Sequence, residues 1–166
     1  MSTELDTEAF TAGLDYPMYI VTAASTGGGE TSLSGCLVGF ATQCSISPVR
    51  FMVCLSKQNH TYRVARNASM LGVHAPGAGQ QELAALFGEN TGDEVDKFGA
   101  CNWHEGPGGV PVLTDCPRRM IADVLDQFDL GDHVGFLLAP SRVESDPGTE
   151  PLQFSRVRDL EAGHSA

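Results

Sequence analysis

Lys57-Gln58-Asn59-His60-Thr61 is a short polar loop between the apolar run Arg50–Ser56 and a stretch with helical character, Tyr62–Asn67. Asn59 or Thr61 can cap such a helix, and its first free backbone N–H groups together with the Lys57 ammonium suit a phosphate. An ordinary capped surface helix is the plain alternative. The charge distribution favours the anion. The 166 residues include 21 acidic and 10 basic side chains, a net charge of −11, yet no Asp or Glu occurs from Thr31 to Gln81. That window holds Arg50, Lys57, Arg63 and Arg66, so it carries +4 and leaves −15 for the remainder. A cationic island on an acidic chain invites one small anion such as a nucleotide phosphate. A general nucleic-acid surface is not expected, because that needs clustered Lys and Arg.

A second candidate is Ser34–Pro48, SGCLVGFATQCSISP. Gly35 and Gly39 weaken a strand unless something approaches the backbone closely, and a flat aromatic ligand bonded at its edge by backbone amides is one such thing. A bulged strand with Leu37, Val38 and Phe40 turned into the core is the other reading. His133, next to Asp132 at the start of a strand, can donate to a ligand phosphate, carbonyl or ring, or serve as a hydrogen-bonded turn histidine. No HxxxH, HExxH or Cys–His spacing appears, so no metal site is expected, and there is no GxSxG elbow. Cys36, Cys44 and Cys54 lie on apolar stretches and read as core thiols. The five cysteines form no CxxC pair or disulfide framework, which suits reduced thiols in a cytoplasmic protein.

These groups need strands to hold them. With 42% hydrophobic residues the chain has an ordinary globular composition and room for one domain. Its longest apolar run, Val134–Pro140, is too short for a membrane span, and the acidic start lacks the order of a secretion signal. Thr7–Leu14 reads as a short helix. Met18–Ala24 and Leu33–Phe40 read as a hairpin around Gly27-Gly28-Gly29; the triplet is no phosphate loop, since the GK[ST] element is missing. Arg50–Ser56 reads as a fully buried strand, Met70–His74 as another, Gln80–Phe87 as a helix and Asp93–Phe98 as a helical turn. Arg118–Phe128 and His133–Val143 read as a hairpin, and Leu152–Val157 as a last strand. Strands without regular intervening helices argue against a doubly wound sheet and for a mainly β protein, an antiparallel split β-barrel with a few short peripheral helices.

The run from Ser34 to Ser56, with SGCLVGFATQCSISP and RFMVCLS, followed by KQNHTY, resembles the flavin reductase-like family of FMN-binding split barrels. LFGENTGDEVDKF (Leu86–Phe98), Gly106–Leu113 and Gly131-Asp132-His133 recur in the same order. The resemblance spans roughly residues 16 to 140. It implies a 1–15 leading segment, a split-barrel domain over 16–157 and a 158–166 tail. It implies a homodimer with FMN, or FAD, near the subunit interface. Leu37, Val38, Gly39, Phe40, Thr42, Cys44 and Ser45 would follow the flavin ring and its ribityl chain. Lys57, Asn59, His60 and Thr61 would take the phosphate. Phe98, in the Asp96–Phe98 element, would lie near the open face of the ring, and His133 near the nicotinamide. Many members read SLDPP where this chain has Ser45-Ile46-Ser47-Pro48-Val49, and others read Thr-Ala-Asn where it has Leu37-Val38-Gly39, so backbone groups are expected to replace side-chain bonds to the ring.

The activity this implies is NAD(P)H-dependent flavin reduction, with hydride passing from nicotinamide to flavin N5 and reduced flavin staying bound or serving a separate monooxygenase. Such chemistry belongs to the cofactor and requires no catalytic constellation. The alternatives are a flavin-binding module without turnover, a deazaflavin-using split barrel and a purely structural dimer. Neither nucleic acid nor membrane is an expected partner.

Overall fold

The computed structural model describes residues 5–89 and 96–160. In chain order the regular elements are α1 (Thr7–Thr11), β1 (Tyr19–Gly27), β2 (Glu30–Val38), β3 (Ala41–Ile46), β4 (Val49–Ser56), α2 (His60–Ala65), β5 (Met70–Ala75), α3 (Gln81–Gly88), β6 (Trp103–Glu105), β7 (Pro111–Leu113), β8 (Arg118–Asp129) and β9 (His133–Ser145). Seven strands form one antiparallel sheet in the order β2-β1-β5-β8-β9-β4-β3, and β6 pairs with β7 in a separate ribbon. β2 and β3 are consecutive in the chain yet form the two edges of the sheet. The sheet therefore curls until its edges meet at Gly39-Phe40 without joining into a ladder, which is a split barrel.

The sequence explains the local geometry. Gly28 and Gly29 hold φ at +62° and +84° between the paired residues Gly27 and Glu30. A two-residue turn with positive φ at both positions matches the twist of the strands it joins, and glycine adopts it without a Cβ penalty. Inside the barrel the strands alternate with period two: Val21 and Ala23, Cys36 and Val38, Val53 and Leu55, Leu71 and Val73, Val134, Phe136 and Leu138 all belong to one buried cluster. Helix α2 fills the split from inside with Val64 and Ala65, and its Thr61 hydroxyl meets the Ser34 hydroxyl of β2 at 2.8 Å.

β1 is buried on both faces, which is why it reads as an unbroken apolar run. Its outward Ile20 packs with Phe87, Leu113 and Cys116 beneath α3 and the β6–β7 ribbon. Thr22 donates from its hydroxyl to the Pro111 carbonyl at 2.6 Å. The fully buried His74 ties three strands together: Nδ1–H donates to the Ile20 carbonyl at 3.0 Å, and Nε2 accepts the Leu113 N–H at 3.0 Å. Gly72 lies under this junction. A Cβ there would run into the Thr22 hydroxyl and meet His74 Cε1 at 3.0 Å and Val110 Cγ1 at 3.1 Å. Gly72→Ala is therefore expected to destabilise the fold by about 2 to 3 kcal/mol through overpacking, measured as a lower urea midpoint at unchanged slope.

Several expectations are corrected. Leu152–Val157 is not a strand. It makes a single bridge, Pro17 with Gln153, and then a 3-10 turn at Phe154–Arg156, because Leu152 and Val157 both bury beside Met18 and Ala84 rather than alternating between faces. Arg50–Ser56 is not buried on both faces: Val53, Leu55 and Ser56 are buried, but Met52 and Cys54, which alternate with them, are only half-buried. Cys44 is exposed on edge strand β3, so of the three thiols read as core only Cys36 is fully enclosed. Phe40 is 58% exposed rather than core-facing, since the chain turns at Gly39-Phe40 and splits the expected single strand into β2 and β3. The β6–β7 ribbon falls in a Gly- and Pro-rich stretch that carries no strand signal. The helical turn expected over Asp93–Phe98 lies partly outside the described residues; the 3-10 turn seen there is Lys97–Ala100, capped by the Asp96 carboxylate on the Gly99 N–H. No helix among the described residues is long and apolar enough to cross a membrane.

Candidate functional site

The loop after β4 folds back against the β8–β9 turn. Lys57 donates its backbone N–H to the Asp132 carbonyl at 2.9 Å, and its ammonium reaches Asp129 Oδ1 at 2.8 Å. Asp129 also accepts the Gly131 N–H at 3.1 Å. These hydrogen bonds, Lys57 first, hold the Asp129 carboxyl below the usual carboxylate range. The cationic island is thus free of acid only along the chain. In space the acidic β8–β9 turn returns to it, a contact between residues 72 apart that spacing could not disclose.

The helix start is also more occupied than expected. Asn59 is the N-cap and its side chain accepts the Thr61 N–H at 2.9 Å. Gln58 N–H goes to the Ser56 hydroxyl, Asn59 N–H to the Ser56 carbonyl and Tyr62 N–H to the Asn59 carbonyl. The expectation of several free N–H groups is therefore corrected, and side chains are left as the main anion donors. Thr61 is 1% exposed with its hydroxyl on Ser34, so its side chain braces the split. His60 faces Arg63, Nδ1 to Nη2 at 3.2 Å. Because a guanidinium only donates, Nδ1 accepts and the ring proton sits on Nε2.

His133 opens β9 opposite Ser56 of β4, directly beside this loop. Its Nδ1 lies 2.7 Å from Asp132 Oδ1; a carboxylate only accepts, so Nδ1 carries the proton and Nε2 is the remaining nitrogen. That bond from His133, ahead of its charge, holds the Asp132 carboxyl low. The Phe40 ring tilts over the imidazole with centroids 5.2 Å apart. Phe40, Ser56, Lys57, Asp132 and His133 are therefore gathered at one corner, where the end of β4 meets the start of β9.

The remaining candidates divide by face. Thr42 and Cys44 are exposed on β3, with Ser45 half-buried, and Cys44 sits in a bulge between the Gln43–Phe51 and Ser45–Arg50 pairs. An edge strand turns alternate N–H and C=O groups away from its only neighbour. Val38 is 5% exposed and lies in the barrel core, so anything it offers is backbone. Leu37 and Phe98 belong to another layer, packed around Phe87; Phe98 meets Phe87 and Trp103 edge-on at 5.7 and 5.5 Å.

Two residues of structural weight, Lys97 and Asp129, carry no motif in the sequence; the first holds this layer. Lys97 is 4% exposed and donates Nζ to the Gly35 carbonyl at 3.0 Å and the Phe87 carbonyl at 3.1 Å. It thereby pins the turn carrying Phe98 to β2 and α3, and burial pushes its ammonium below the ordinary lysine value. Asp129 is the other, and its one sequence signal was its place two residues before the turn glycine Gly131.

Cationic side chains, an exposed aromatic–imidazole pair and a free strand edge fit a ligand that joins an anionic group to a flat, edge-polar ring. The class so defined is the open, antiparallel split barrel. The flavin reductase like domain family matches residues 11–161, and the chain belongs to it. It is 30% identical over 139 residues to a ferric-chelate reductase (NAD(P)H) of Archaeoglobus fulgidus, covering 80% of this chain and 77% of that one. It is 29% identical over 103 residues to HsaB, the reductase subunit of a flavin-dependent monooxygenase of Rhodococcus jostii, covering 60% of this chain and about half, 51%, of that one. The solved structure of the NADH:FAD oxidoreductase SgcE6 of Streptomyces globisporus has the same fold, with a TM-score of 0.78 at 22% identity over 90% of this chain and 87% of that one.

Proposed function

We propose that this protein is an NAD(P)H-dependent flavin reductase that takes FMN, or FAD, at the corner formed by β3, the β4–α2 loop and the start of β9. The observation that carries the reading is the meeting of Lys57 with the Phe40–His133 pair beside the free edge of β3, in a chain of the flavin reductase family. Lys57, Asn59 and His60 would hold the phosphate, with Thr61 fixing the loop from inside. Thr42, Cys44 and Ser45 would meet the ring edge, with Val38 and Gly39 contributing backbone. Leu37 and Phe98 would bound the ring on the α3 side. A bound flavin supplies the redox chemistry, accepting hydride from nicotinamide at N5. This chain's part is to orient the two rings and exclude water between them, with His133 held by Asp132 as a wall for the nicotinamide that presents Nε2 as an acceptor.

Phe40, Leu125, Phe128 and Leu130 are 58%, 48%, 40% and 56% exposed. We read these exposed apolar side chains as contacts of a homodimer, by which a second copy would shelter the ring. Reduced flavin would then serve a separate monooxygenase, as the Rhodococcus relative is the reductase subunit of one. Five free cysteines fit a cytoplasmic setting.

The test is direct. Purified protein with FMN is expected to oxidise NADH or NADPH catalytically, and size-exclusion with light scattering is expected to give twice the 17.6 kDa chain mass. Flavin uptake without nicotinamide oxidation would leave the flavin-binding module instead, and no uptake would remove both readings.

A further inference from the structure

The other end of the barrel holds a pocket that the flavin corner does not use. Its volume is about 420 Å³, within the range of small-molecule sites. Tyr19 and Phe51 form an aromatic floor, edge to face at 5.4 Å. Val73, Met120 and Val143 wall it, and Arg118, Arg119 and Glu144 stand around them. Phe51 precedes Ser56 by five residues along β4, so the floor is about 17 Å at strand rise from the phosphate end of the flavin corner; Thr42, Cys44 and Ser45 run beside Phe51 on β3 but do not line the pocket.

The polar groups here are incompletely used. The Tyr19 hydroxyl has no hydrogen-bond partner among the described residues, although the side chain is half-buried. Arg118 spends Nη1 on the Thr149 carbonyl at 2.6 Å and makes a long contact from Nη2 to Pro147, leaving donors over. Arg119 gives its Nη groups to Thr114, Cys116 and Glu144, while its Nε is a buried side-chain donor with no partner. Glu144 is already neutralised by Arg119 at 2.7 Å and Arg142 at 3.4 Å. The local balance is therefore cationic around an aromatic floor, with the Tyr19 phenol in the lining.

We propose that this mouth is a second ligand site, for a small aromatic carboxylate whose ring lies on Tyr19 and Phe51 and whose anion meets the Tyr19 hydroxyl and Arg118. Size, aromatic floor, unused donors and charge converge on this class. A neutral aromatic would leave the donors unpaired, and an aliphatic acid would leave the floor uncovered.

The probe is 1-naphthoate, titrated calorimetrically into the full chain with and without saturating FMN. One binding event is expected, unchanged by FMN. Val143→Trp fills the mouth from a position 63% exposed in the native fold, so folding should be retained, and it is expected to weaken naphthoate at least about tenfold while leaving FMN affinity unaltered. Tyr19→Phe, which removes only the hydroxyl, is expected to weaken it several-fold, and the uncharged 1-naphthalenemethanol to bind about tenfold more weakly than the acid. No heat with naphthoate, equal affinity in Val143→Trp, or displacement by FMN would each overturn the proposal. Failure of FMN to bind would count against the flavin reading alone.

Discussion

Acidifying the protein from neutral pH to about pH 4 is expected to remove about 3 kcal/mol of folding stability through His74 alone. Burial, aided by the Arg119 charge and opposed by the bond to Ile20, depresses this imidazole from 6.5 to about 4. The geometry gives the reason: Nε2 must stay unprotonated to accept the Leu113 N–H, and no water reaches the ring. Because the folded value is the lower one, the stabilisation is whole above pH 6.5. It declines as the unfolded chain alone takes up a proton, and the loss levels off once pH passes about 4 and the native ring protonates too. The lowered carboxyls, Asp15, Asp129, Asp132 and Glu144, lose their advantage at lower pH, from their ordinary values of 3.8 and 4.5 downward, so they add mainly to the acid end of the window.

Urea unfolding at neutral pH and near pH 4.5 measures the effect. His74→Phe is expected to flatten this part of the pH dependence while lowering neutral stability by about 2 to 4 kcal/mol, because the Ile20 carbonyl and Leu113 N–H both lose their partner. A variant that keeps the wild-type slope would place the acid sensitivity elsewhere.

Lys57→Ala is expected to weaken FMN binding by about ten- to a hundredfold, the range of a lost charge-assisted bond. The substitution also uncovers Asp129, whose carboxylate lies 2.8 Å from the ammonium and would then face the phosphate. The companion variant separates the two contributions. Asp129→Asn frees Lys57 from its partner and is expected to hold FMN at least as tightly as the native chain, and Lys57→Ala/Asp129→Asn is expected to recover part of the single loss. Flavin-fluorescence titration at low and high salt reads all three, with the Lys57→Ala deficit shrinking as salt rises. An unchanged dissociation constant in Lys57→Ala would remove the loop from the phosphate site.

The barrel was largely legible from local pattern. The β1–β2 turn is dictated by consecutive glycines; of the two caps open to the next helix, Asn59 and Thr61, the structure takes Asn59 and starts the helix at His60, two residues before the expected Tyr62. The paired β8 and β9 follow from two long apolar-rich runs flanking Leu130-Gly131-Asp132. What misled was burial supplied from elsewhere. Leu152 and Val157 look like strand residues but are buried by Met18 and Ala84, and Cys44 looks like a core thiol but stands on the edge strand.

By itself the sequence determined the antiparallel strands, the turns between them, the cationic loop and the family, because each depends on residues near one another in the chain or on their order. Only the tertiary structure decided that Asp129 answers Lys57, that Phe40 leans on His133, that Thr61 turns inward to Ser34 and that His74 and Lys97 are enclosed. Those facts depend on which strands become neighbours when the sheet curls. Curling is a cooperative result of burying one face of every strand at once, and no single segment encodes it.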